Sequence, residues 1–315
     1  MPGRVRPAVG RVAVLGGTGW VGRFVCAALA ERGRDPLVVA RNHVPHAAGY
    51  DFRSIDLGAA DVGTLAKLLR TEGVDVVINA TDGANTTDGW DRTEAELRRA
   101  NVEAVHRVLA AMAELPWRSR VVHIGTIHEY GPVGAGISIN ESLTPRPVNA
   151  YARTKLAGSA AALEAVREGV VDGLVLRLAN VCGPHPSPAS FPGKLLSLFR
   201  EAAAGGEVKL SIADARRDFV DVRDAADAAV KAAEASVTGR AVNIGSGVAV
   251  EIRELVAHLA AAAGVPPDAV KETGAPVPSL GGDWIQADIR LAARLLRWRP
   301  RIGLAESLRA MWEAG

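Results

Sequence analysis

A phenol and an ammonium group stand one helical turn apart in the segment YARTK, from Tyr151 to Lys155. Residues four apart on an α-helix share a face and lie about 6 Å apart along the axis. A free phenol has a pKa of about 10, so acid–base work near neutral pH requires a downward shift of about 3 units, or about 4 kcal/mol in favour of the phenolate. A neighbouring cation in a partly buried site can supply energy of that order. The pair therefore predicts a proton-transfer centre in which Lys155 lowers the pKa of Tyr151.

Three further side chains are candidates for the same centre. Thr126 closes the apolar segment RVVHIGT, which predicts a strand, and its hydroxyl can donate to an oxygen that Tyr151 protonates. A β-branched strand residue whose hydroxyl bonds to backbone is the alternative. His128 and His185 lie in loops and could act as a second acid, although a histidine held by a structural hydrogen bond is the simpler interpretation.

A glycine-punctuated stretch, VAVLGGTGWVG from Val12 to Gly22, precedes all of these residues. A short apolar run gives way to glycines and then to a helical pattern, which is the order of strand, tight turn and helix. Such a turn presents backbone N–H groups and a helix N-terminus to a pyrophosphate. The spacing is Gly16-x-x-Gly19-x-x-Gly22. It predicts a bound dinucleotide, and a glycine turn without a ligand is the alternative.

The residue that follows the second predicted strand, Pro36–Ala40, indicates which of two dinucleotides the protein binds. An acid at this place suits the ribose hydroxyls of NAD, whereas a cation suits the 2′-phosphate of NADP. The chain has Arg41 followed by Asn42, so NADP(H) is favoured over NAD, unless Arg41 is only a solvated charge. Asp56 follows a short strand-like segment, Tyr50–Ile55, and is either a hydrogen-bond acceptor for adenine or an exposed loop residue.

The next apolar strand, Val74–Ala80, runs into a polar loop that extends to Trp90, at the edge of a parallel sheet where ligands bind. A single helix is predicted from Asp91 to Leu115, with Asn101 among its apolar positions as a buried amide or a prop for catalytic groups. We expect the following residues to contact the dinucleotide: Gly16, Thr18, Gly19, Trp20, Val21, Gly22, Arg41, Asn42, Asp56, Leu57, Asn79, Ala80, Thr81, Asn101, Tyr151 and Lys155.

Alternation of short apolar strands with amphipathic helices predicts an α/β fold, a Rossmann-type doubly wound parallel sheet with right-handed crossovers. A fifth strand is predicted from Leu174 to Val181, and the segment GPHPSP that follows marks the entry to a smaller C-terminal lobe. We expect residues 1–181, with 219–246 returning to them, to form the NADP-binding domain. Residues 182–218 and 247–315 would form the substrate-binding lobe.

Composition excludes several classes of protein. The 315 residues are 48% hydrophobic and 23% charged, with a formal net charge of only +2 and no long Lys/Arg run, so a nucleic-acid partner is not expected. No apolar run has the length of a membrane span, and the N-terminus lacks the apolar core of a signal peptide. Cys26 and Cys182 fall on predicted buried elements, which favours a reducing compartment, so we expect a cytoplasmic protein. No metal site is predicted.

Several motifs together resemble the extended short-chain dehydrogenase/reductase family, the group of nucleotide-sugar epimerases, dehydratases and reductases. The matching segments follow the family's order along nearly the whole chain: Gly16-x-x-Gly19-x-x-Gly22, TIHEYG (126–131), YARTK (151–155), RLANVCGP (177–184), RDFVDVRD (217–224) and WRP (298–300).

The resemblance implies roles for particular residues. Thr126, Tyr151 and Lys155 would be catalytic, with Lys155 also holding the nicotinamide ribose. The nucleotide sugar would meet Thr126 and His128, Asn180 would contact its diphosphate, and Arg217 would bind a phosphate, as the fork of a guanidinium suits. A surface ion pair of Arg217 with Asp218 or Asp221 is the alternative. Members of the family are commonly homodimers, and the helices at Glu94–Leu115 and Ala150–Arg167 would suit that interface.

Departures from the family pattern reduce the number of reactions that the resemblance implies for this chain. Family dehydratases carry an Asp-Glu pair directly after the catalytic Ser/Thr, where this chain has Ile127 and His128. Family epimerases retain NAD and usually show an acid where Arg41 stands. The pattern is most similar to 4-ketoreductases that act on dTDP-4-keto-6-deoxyhexoses in deoxysugar biosynthesis, with NADPH as the hydride donor. An epimerase with retained NAD and a non-catalytic NADP(H)-binding redox sensor are the alternatives.

Overall fold

The computed structural model describes residues 10–82, 92–203, 206–274 and 281–314. Its strands are β1 (Arg11–Leu15), β2 (Leu37–Ala40), β3 (Asp51–Ser54), β4 (Val74–Asn79), β5 (Arg120–Thr126), β6 (Asp172–Leu178), β7 (Asn180–Cys182), β8 (Val208–Leu210), β9 (Arg216–Asp221), β10 (Arg240–Ile244), β11 (Ala249–Glu251) and β12 (Val270–Glu272).

The helices alternate with these strands through most of the chain. They are α1 (Trp20–Ala30), α2 (Val62–Thr71), α3 (Glu94–Arg98), α4 (Ala104–Ala113), α5 (Ala150–Arg167), α6 (Phe191–Ala203), α7 (Val222–Glu234), α8 (Ile252–Ala263), α9 (Arg290–Leu296) and α10 (Leu304–Glu313). A π-helical turn, Arg99–Glu103, joins α3 to α4, and 3₁₀ turns occupy Pro45–Ala47, Ile127–Tyr130 and Pro267–Ala269.

Seven parallel strands form the central sheet in the order β10-β6-β5-β4-β1-β2-β3. The strand order reverses between β1 and β4, so a crevice opens where the loops after these two strands diverge. Ligands of open α/β sheets bind in such a crevice. The Rossmann-type doubly wound sheet expected from the sequence is confirmed.

Two apolar layers cover the sheet. On one face α1 and α7 pack against strand residues such as Val14 and Ile78, and α9 and Trp298 complete that layer. On the other face α2, α4 and α5 enclose a second cluster that includes Leu15 and Val77. Strand residues buried on both faces explain the near-continuous hydrophobic runs in the sequence.

A smaller lobe has its own core, in which Phe199 of α6 packs with residues of α8 and α10. Its three-stranded sheet has the order β11-β9-β7, and β12 pairs with β8. Asp218 of β9 is fully buried, and its carboxylate accepts hydrogen bonds from backbone N–H groups of Ser246, Gly247 and Ala287. This carboxylate therefore joins the lobe sheet to the turn after β10 and to the backbone at Ala287.

Two predicted elements differ from the structure. The run Leu174–Val181 divides into β6 and β7, because the N–H of Ala179 donates to Ile244 O in β10 and the chain then leaves the central sheet for the lobe. The single helix predicted over Asp91–Leu115 is interrupted by the π turn, which directs Asn101 inward. Its start at Asp91 and most of the predicted loop before it (residues 83–90) lie outside the described residues.

Across the described ranges, no helix has the length and apolar character needed to cross a bilayer.

His123 is an unusual residue for the interior of the sheet. It lies in β5 with 2% of its surface exposed, and its Nδ1 meets the Asn79 amide nitrogen at 3.2 Å. Its Nε2 is buried without a hydrogen-bond partner among the described residues. Burial, with a smaller contribution from the charge of Lys155, lowers the pKa of His123 to about 3. The ring is therefore neutral in the folded protein throughout the physiological range.

We predict that His123 makes the folded protein sensitive to acid. Between pH 6.5 and 3 the unfolded chain binds a proton that the folded chain excludes, so the free energy of unfolding falls as the pH drops, by about 5 kcal/mol from this residue. His123→Gln should make the dependence of unfolding free energy on pH distinctly shallower in urea titrations at pH 4–7. His106→Gln, at an exposed position of α4, should keep the wild-type slope; an equal slope in His123→Gln would contradict the assignment.

Candidate active site

The turn between β1 and α1 forms the wall of a cavity. Gly16 has φ = +75°, in the left-handed region that favours glycine, and its carbonyl accepts from Gly19 N at 2.9 Å. A Cβ at Gly22 would lie 2.1 Å from that same carbonyl, so α1 can approach the turn only because residue 22 is glycine. No side chain caps α1. Its first N–H groups are thus available to an anion.

The cavity in front of this turn has a volume of about 810 Å³, which is in the range of cofactor sites. Most of the residues predicted to contact a dinucleotide line it: Gly16, Thr18, Gly19, Trp20, Val21, Arg41, Asn42, Asp56, Leu57, Ala80 and Thr81. The uncapped helix, the close glycine turn and the cavity together fit a dinucleotide. We name this the cofactor cavity.

Cations lie along the cofactor cavity. Arg41 is exposed at the end of β2, forms no ion pair with a described residue, and accepts a hydrogen bond from Ser54 Oγ at its carbonyl. Arg92 and Arg99 line the same cavity and were not identified from the sequence. Asp56 lines it too, with one carboxylate oxygen accepting from Gly58 N at 2.9 Å. Asp82 and Glu96 also line the cavity, so three carboxylates match the three guanidinium groups, and an anionic ligand would be bound by individual arginines and not by a net positive charge.

Three predicted cofactor contacts lie behind the cavity wall instead of on it. Gly22 supports the turn, as described above. Asn79 Oδ1 accepts from Thr81 N and Thr81 Oγ1, which fixes the loop after β4. Asn101 is buried in the π turn and donates to Thr154 Oγ1 at 3.1 Å, so it supports α5. The structure therefore gives these residues positioning roles.

A second cavity, of about 520 Å³, continues from the first and is bounded by the lobe; we name it the substrate cavity. Residues from distant parts of the sequence meet there: Thr126, His128, Tyr151, Lys155, Asn180 and Arg217. The proposed catalytic and substrate-binding residues are thus brought together. The residues shared by both cavities are Trp20, Val21, Ala80, Thr81 and Asp82.

Trp20 connects the glycine turn to the lobe. It is the first residue of α1 and is nearly buried, and its indole Nε1 donates to Pro184 O at 2.9 Å. Pro184 belongs to the connector that leads from β7 into the lobe. The side chain therefore forms part of the boundary between the two cavities.

Glu129 fixes the relative positions of the catalytic elements. Its carboxylate is fully buried and accepts from Thr126 N at 3.0 Å, Ser159 Oγ at 2.8 Å and Arg177 Nε at 2.7 Å. These bonds join the end of β5, helix α5 and strand β6. The Arg177 guanidinium also lies 4.5 Å from the centroid of the Tyr130 ring. A buried carboxylate with this many donors is well compensated for its loss of water.

The lowering of the Tyr151 pKa expected from Lys155 is outweighed by burial and by two nearby carboxylates. The Lys155 ammonium is buried and donates to Ile124 O at 2.8 Å. Burial raises the pKa of Tyr151 well above its ordinary value, and the carboxylates of Asp82 and Glu129 raise it further, while a hydrogen bond with Thr126 opposes the shift. These surroundings favour the protonated form of the phenol.

Asp82 is the acidic residue that sequence reasoning missed. The Tyr151 hydroxyl donates to Asp82 Oδ2 over 3.1 Å. A signal was present in the sequence, because Asp82 lies in the polar loop predicted at the ligand-binding edge of the sheet. Its distance of 69 residues from Tyr151 gave no reason to pair the two.

Polar groups of the lobe complete the substrate cavity. Asn180 Nδ2 donates to Asp218 O at 3.0 Å, and Asn180 also bonds to the side chain of His128. Burial and the charge of Arg217 lower the pKa of His128 to about 4, so its ring is neutral at pH 7. A structural hydrogen bond was the simpler interpretation of this histidine, and the structure agrees with it.

Arg217 is nearly buried, and its guanidinium donates to the carbonyls of Arg216 and Gly282. The alternative of a surface ion pair is not supported, because the carboxylate of Asp218 bonds to the backbone groups described above and that of Asp221 pairs with Arg223. His185 is exposed and lines neither cavity, although its backbone adopts φ = +50°.

Comparison with known proteins agrees with this geometry. Residues 12–245 match the model of the NAD dependent epimerase/dehydratase family. The chain is 37% identical over 313 residues to a dTDP-6-deoxy-L-talose 4-dehydrogenase (NAD(P)(+)) of Kitasatospora kifunensis, covering 98% of this chain and 96% of that protein. It is 27% identical over 237 residues to a GDP-6-deoxy-D-mannose reductase of Pseudomonas aeruginosa, covering 71% and 75%.

The fold has close counterparts among solved structures. MoeE5 in complex with UDP-glucuronic acid and NAD superimposes with a TM-score of 0.81 at 28% identity, over 97% of this chain and 98% of that one. The family match covers both the glycine turn and the Tyr151–Lys155 pair. The protein is therefore a member of the NAD-dependent epimerase/dehydratase family and an NAD(P)-dependent oxidoreductase.

Proposed function

We propose that the protein reduces the 4-keto group of a nucleotide-linked keto-deoxysugar, with dTDP as the nucleotide and NADPH as the hydride donor. One observation carries the proposal: Tyr151 lines a substrate cavity that continues directly into the cofactor cavity. Reduction of a ketone requires a proton donor at such a junction. The 37% identical relative is named for oxidoreduction at carbon 4 of a dTDP-6-deoxysugar, which is the same hydride exchange written from the alcohol side.

The side chains of the cavity have different roles in the reaction. NADPH, when bound, supplies the hydride that adds to the carbonyl carbon. Thr126 donates a hydrogen bond to the carbonyl oxygen and polarises it. Tyr151 then gives its hydroxyl proton to the alkoxide, which leaves a phenolate and a sugar alcohol. Lys155 lies one helical turn away and stabilises the phenolate by its charge.

The nucleotide part of the substrate would lie against the lobe. Arg217 and Asn180 supply a cation and an amide for the diphosphate, and apolar side chains such as Phe191, Phe219 and Ile252 line the same cavity. We accordingly propose substrate binding for the lobe, residues 182–218 and 247–315 as expected from the sequence, extended by all of β7 and β9 and without α9, which packs on the central sheet. The charge of Arg217 in this cavity favours a diphosphate over a neutral sugar.

A dehydratase is disfavoured by the two residues after Thr126. Ile127 is buried in an apolar cluster, and the neutral ring of His128 bonds to Asn180. These residues offer no carboxyl pair for the elimination of water. An epimerase with retained NAD remains the second candidate, because the same Thr126, Tyr151 and Lys155 set would serve it; it would be purified with NAD and would consume no NADPH.

The function is tested with a panel of dTDP-, UDP- and GDP-linked 4-keto sugars, with NADPH oxidation followed by absorbance. We expect consumption of NADPH with a dTDP-linked 6-deoxy-4-keto sugar, together with one new alcohol in the product. No consumption with any member of the panel would overturn the proposal. Bound NAD and interconversion of sugar epimers would instead establish the epimerase.

Tyr151→Phe is expected to lower kcat by at least about 100-fold, because the proton donor is removed. Binding of NADPH should stay within about threefold of wild type, since the ring is retained; fluorescence titration measures it. Tyr50→Phe, which lies outside both cavities, is the matched control and should keep full activity. Turnover that survives in Tyr151→Phe would refute the donor role.

The preference for NADPH is expected to depend on Arg41. Arg41→Asp should lower kcat/KM for NADPH relative to that for NADH by about 10- to 100-fold, the size of a lost charge-assisted contact to phosphate. Arg53→Gln removes an exposed cation from the neighbouring strand β3, where it pairs with Glu72, and should leave the ratio unchanged. A ratio that does not move in Arg41→Asp would contradict the 2′-phosphate contact.

A further inference from the structure

The wall of the cofactor cavity opposite the glycine turn carries two arginines that no motif assigns. The glycine turn leads into α1 on one face of the sheet, whereas the π turn leads into α4 on the other face. Arg92 and Arg99 line the cavity from the second side. Glu96 lies between them on the same helical face, four residues after the first and three before the second.

The carboxylates of the cavity are bonded to neighbours of their own. Glu96 Oε2 accepts from the N–H and the hydroxyl of Thr93, at 2.9 and 2.8 Å, in the capping box that begins α3. The carboxylates of Asp56 and Asp82 accept the bonds described above. Arg99, in contrast, is exposed and forms no ion pair with any residue that the structure describes. Its guanidinium is therefore available to an anionic ligand.

The helix that bears Arg99 determines its position along the cavity. Ala104 of α4 lines the end where the loop after β3 lies, and Arg107 Nη1 fixes α4 there by donating to Leu57 O and Gly58 O. This is the end expected for adenosine. At about 1.5 Å of rise per residue, Arg99 lies about 7 Å from Ala104 in the direction of the substrate cavity. Arg99 thus faces the middle of the cavity, where the glycine turn presents its N–H groups.

The glycine turn by itself compensates only part of the charge of a pyrophosphate. Residues 16–22 contain no lysine or arginine, so the turn offers N–H groups and the N-terminus of α1, equivalent to about half a positive charge. Each phosphate of a dinucleotide is anionic, so negative charge remains. A guanidinium on the opposite wall suits this need, because its planar fork can bind two phosphate oxygens at once.

The π turn that carries Arg99 is fixed against the catalytic helix. Asn101 Nδ2 donates to Thr154 Oγ1 at 3.1 Å. The Asn101 carbonyl also lies so close to Gly158 that a Cβ there would be 2.2 Å away. The backbone that carries Arg99 therefore has a defined position relative to α5.

We propose that Arg99 is a cofactor-binding residue that holds the pyrophosphate between its guanidinium and the N–H groups of the glycine turn. Arg41 differs in its contact, because it would meet only the 2′-phosphate of NADPH. The pyrophosphate is common to NAD and NADP, so this assignment does not depend on whether the protein is a reductase or an epimerase.

Binding of reduced dinucleotides to the protein without sugar tests the proposal. Calorimetry at low ionic strength should show that Arg99→Gln raises Kd for NADPH and for NADH by the same factor, about 10-fold, the size of a lost charge-assisted contact. Arg99→Lys should recover part of the affinity, because an ammonium keeps the charge without the fork. Arg41→Asp should raise Kd for NADPH and not that for NADH.

ADP and ionic strength give two further readouts. ADP has a pyrophosphate but neither a 2′-phosphate nor a nicotinamide, so Arg99→Gln should weaken its binding by the same factor. Salt weakens binding to the wild-type protein because it screens each charged contact. The rise of Kd with salt should be smaller in Arg99→Gln, since one such contact is already lost.

The matched control is the neighbouring arginine. Arg98 is the last residue of α3, is exposed and lines neither cavity. Arg98→Gln removes an equal charge and should leave each Kd unchanged.

Three results would overturn the proposal: an unchanged Kd for NADH and ADP in Arg99→Gln, an equal loss of affinity in Arg98→Gln, or a loss confined to NADPH, which would place the 2′-phosphate at Arg99. If no keto sugar is reduced but Arg99→Gln weakens NADPH, NADH and ADP alike, the proposed function fails and the assignment of Arg99 stands.

Discussion

The buried carboxylate of Glu129 is the interaction on which the catalytic geometry depends. It binds the N–H of Thr126, the hydroxyl of Ser159 and the guanidinium of Arg177, so three elements that are far apart in sequence share one anion. Together with the bond from Lys155 Nζ to Ile124 O, it fixes the distance of Thr126 from the helix that bears Tyr151. Such an anion is stable in the interior because each of its oxygens receives a charged or polar donor.

Close backbone contacts complete this arrangement, and glycine makes them possible. A Cβ at Gly158 would lie 2.2 Å from the Asn101 carbonyl, so α5 can approach the π turn this closely only because residue 158 is glycine. The contact lets Asn101 bind Thr154, whose hydroxyl in turn donates to Tyr151 O. The supports of the catalytic helix thus consist of backbone and small polar groups.

Periodicity and turn chemistry sufficed to predict the sheet and the glycine turn, because both follow from local sequence. The same is true of β5 and of Thr126 at its end, whereas the grouping of Thr126 with Tyr151 and Lys155 in one site was expected from the family resemblance. Contacts between residues that are distant in the sequence could not be predicted in this way. Neither the Asp82–Tyr151 bond nor the raised pKa of Tyr151 could be predicted, since each depends on loops that meet only in the folded chain. The predicted strand at Leu174–Val181 failed for a related reason: an apolar run does not show where a chain changes sheets.

The position of Trp20 allows ligand binding to be followed by fluorescence. Its indole is enclosed at the boundary of the two cavities and is bonded to the connector into the lobe. Any molecule that fills either cavity comes within contact distance of this ring. The protein therefore carries an intrinsic fluorophore whose emission responds to both ligands, and reduced nicotinamide, which absorbs where indole emits, would accept its excitation energy.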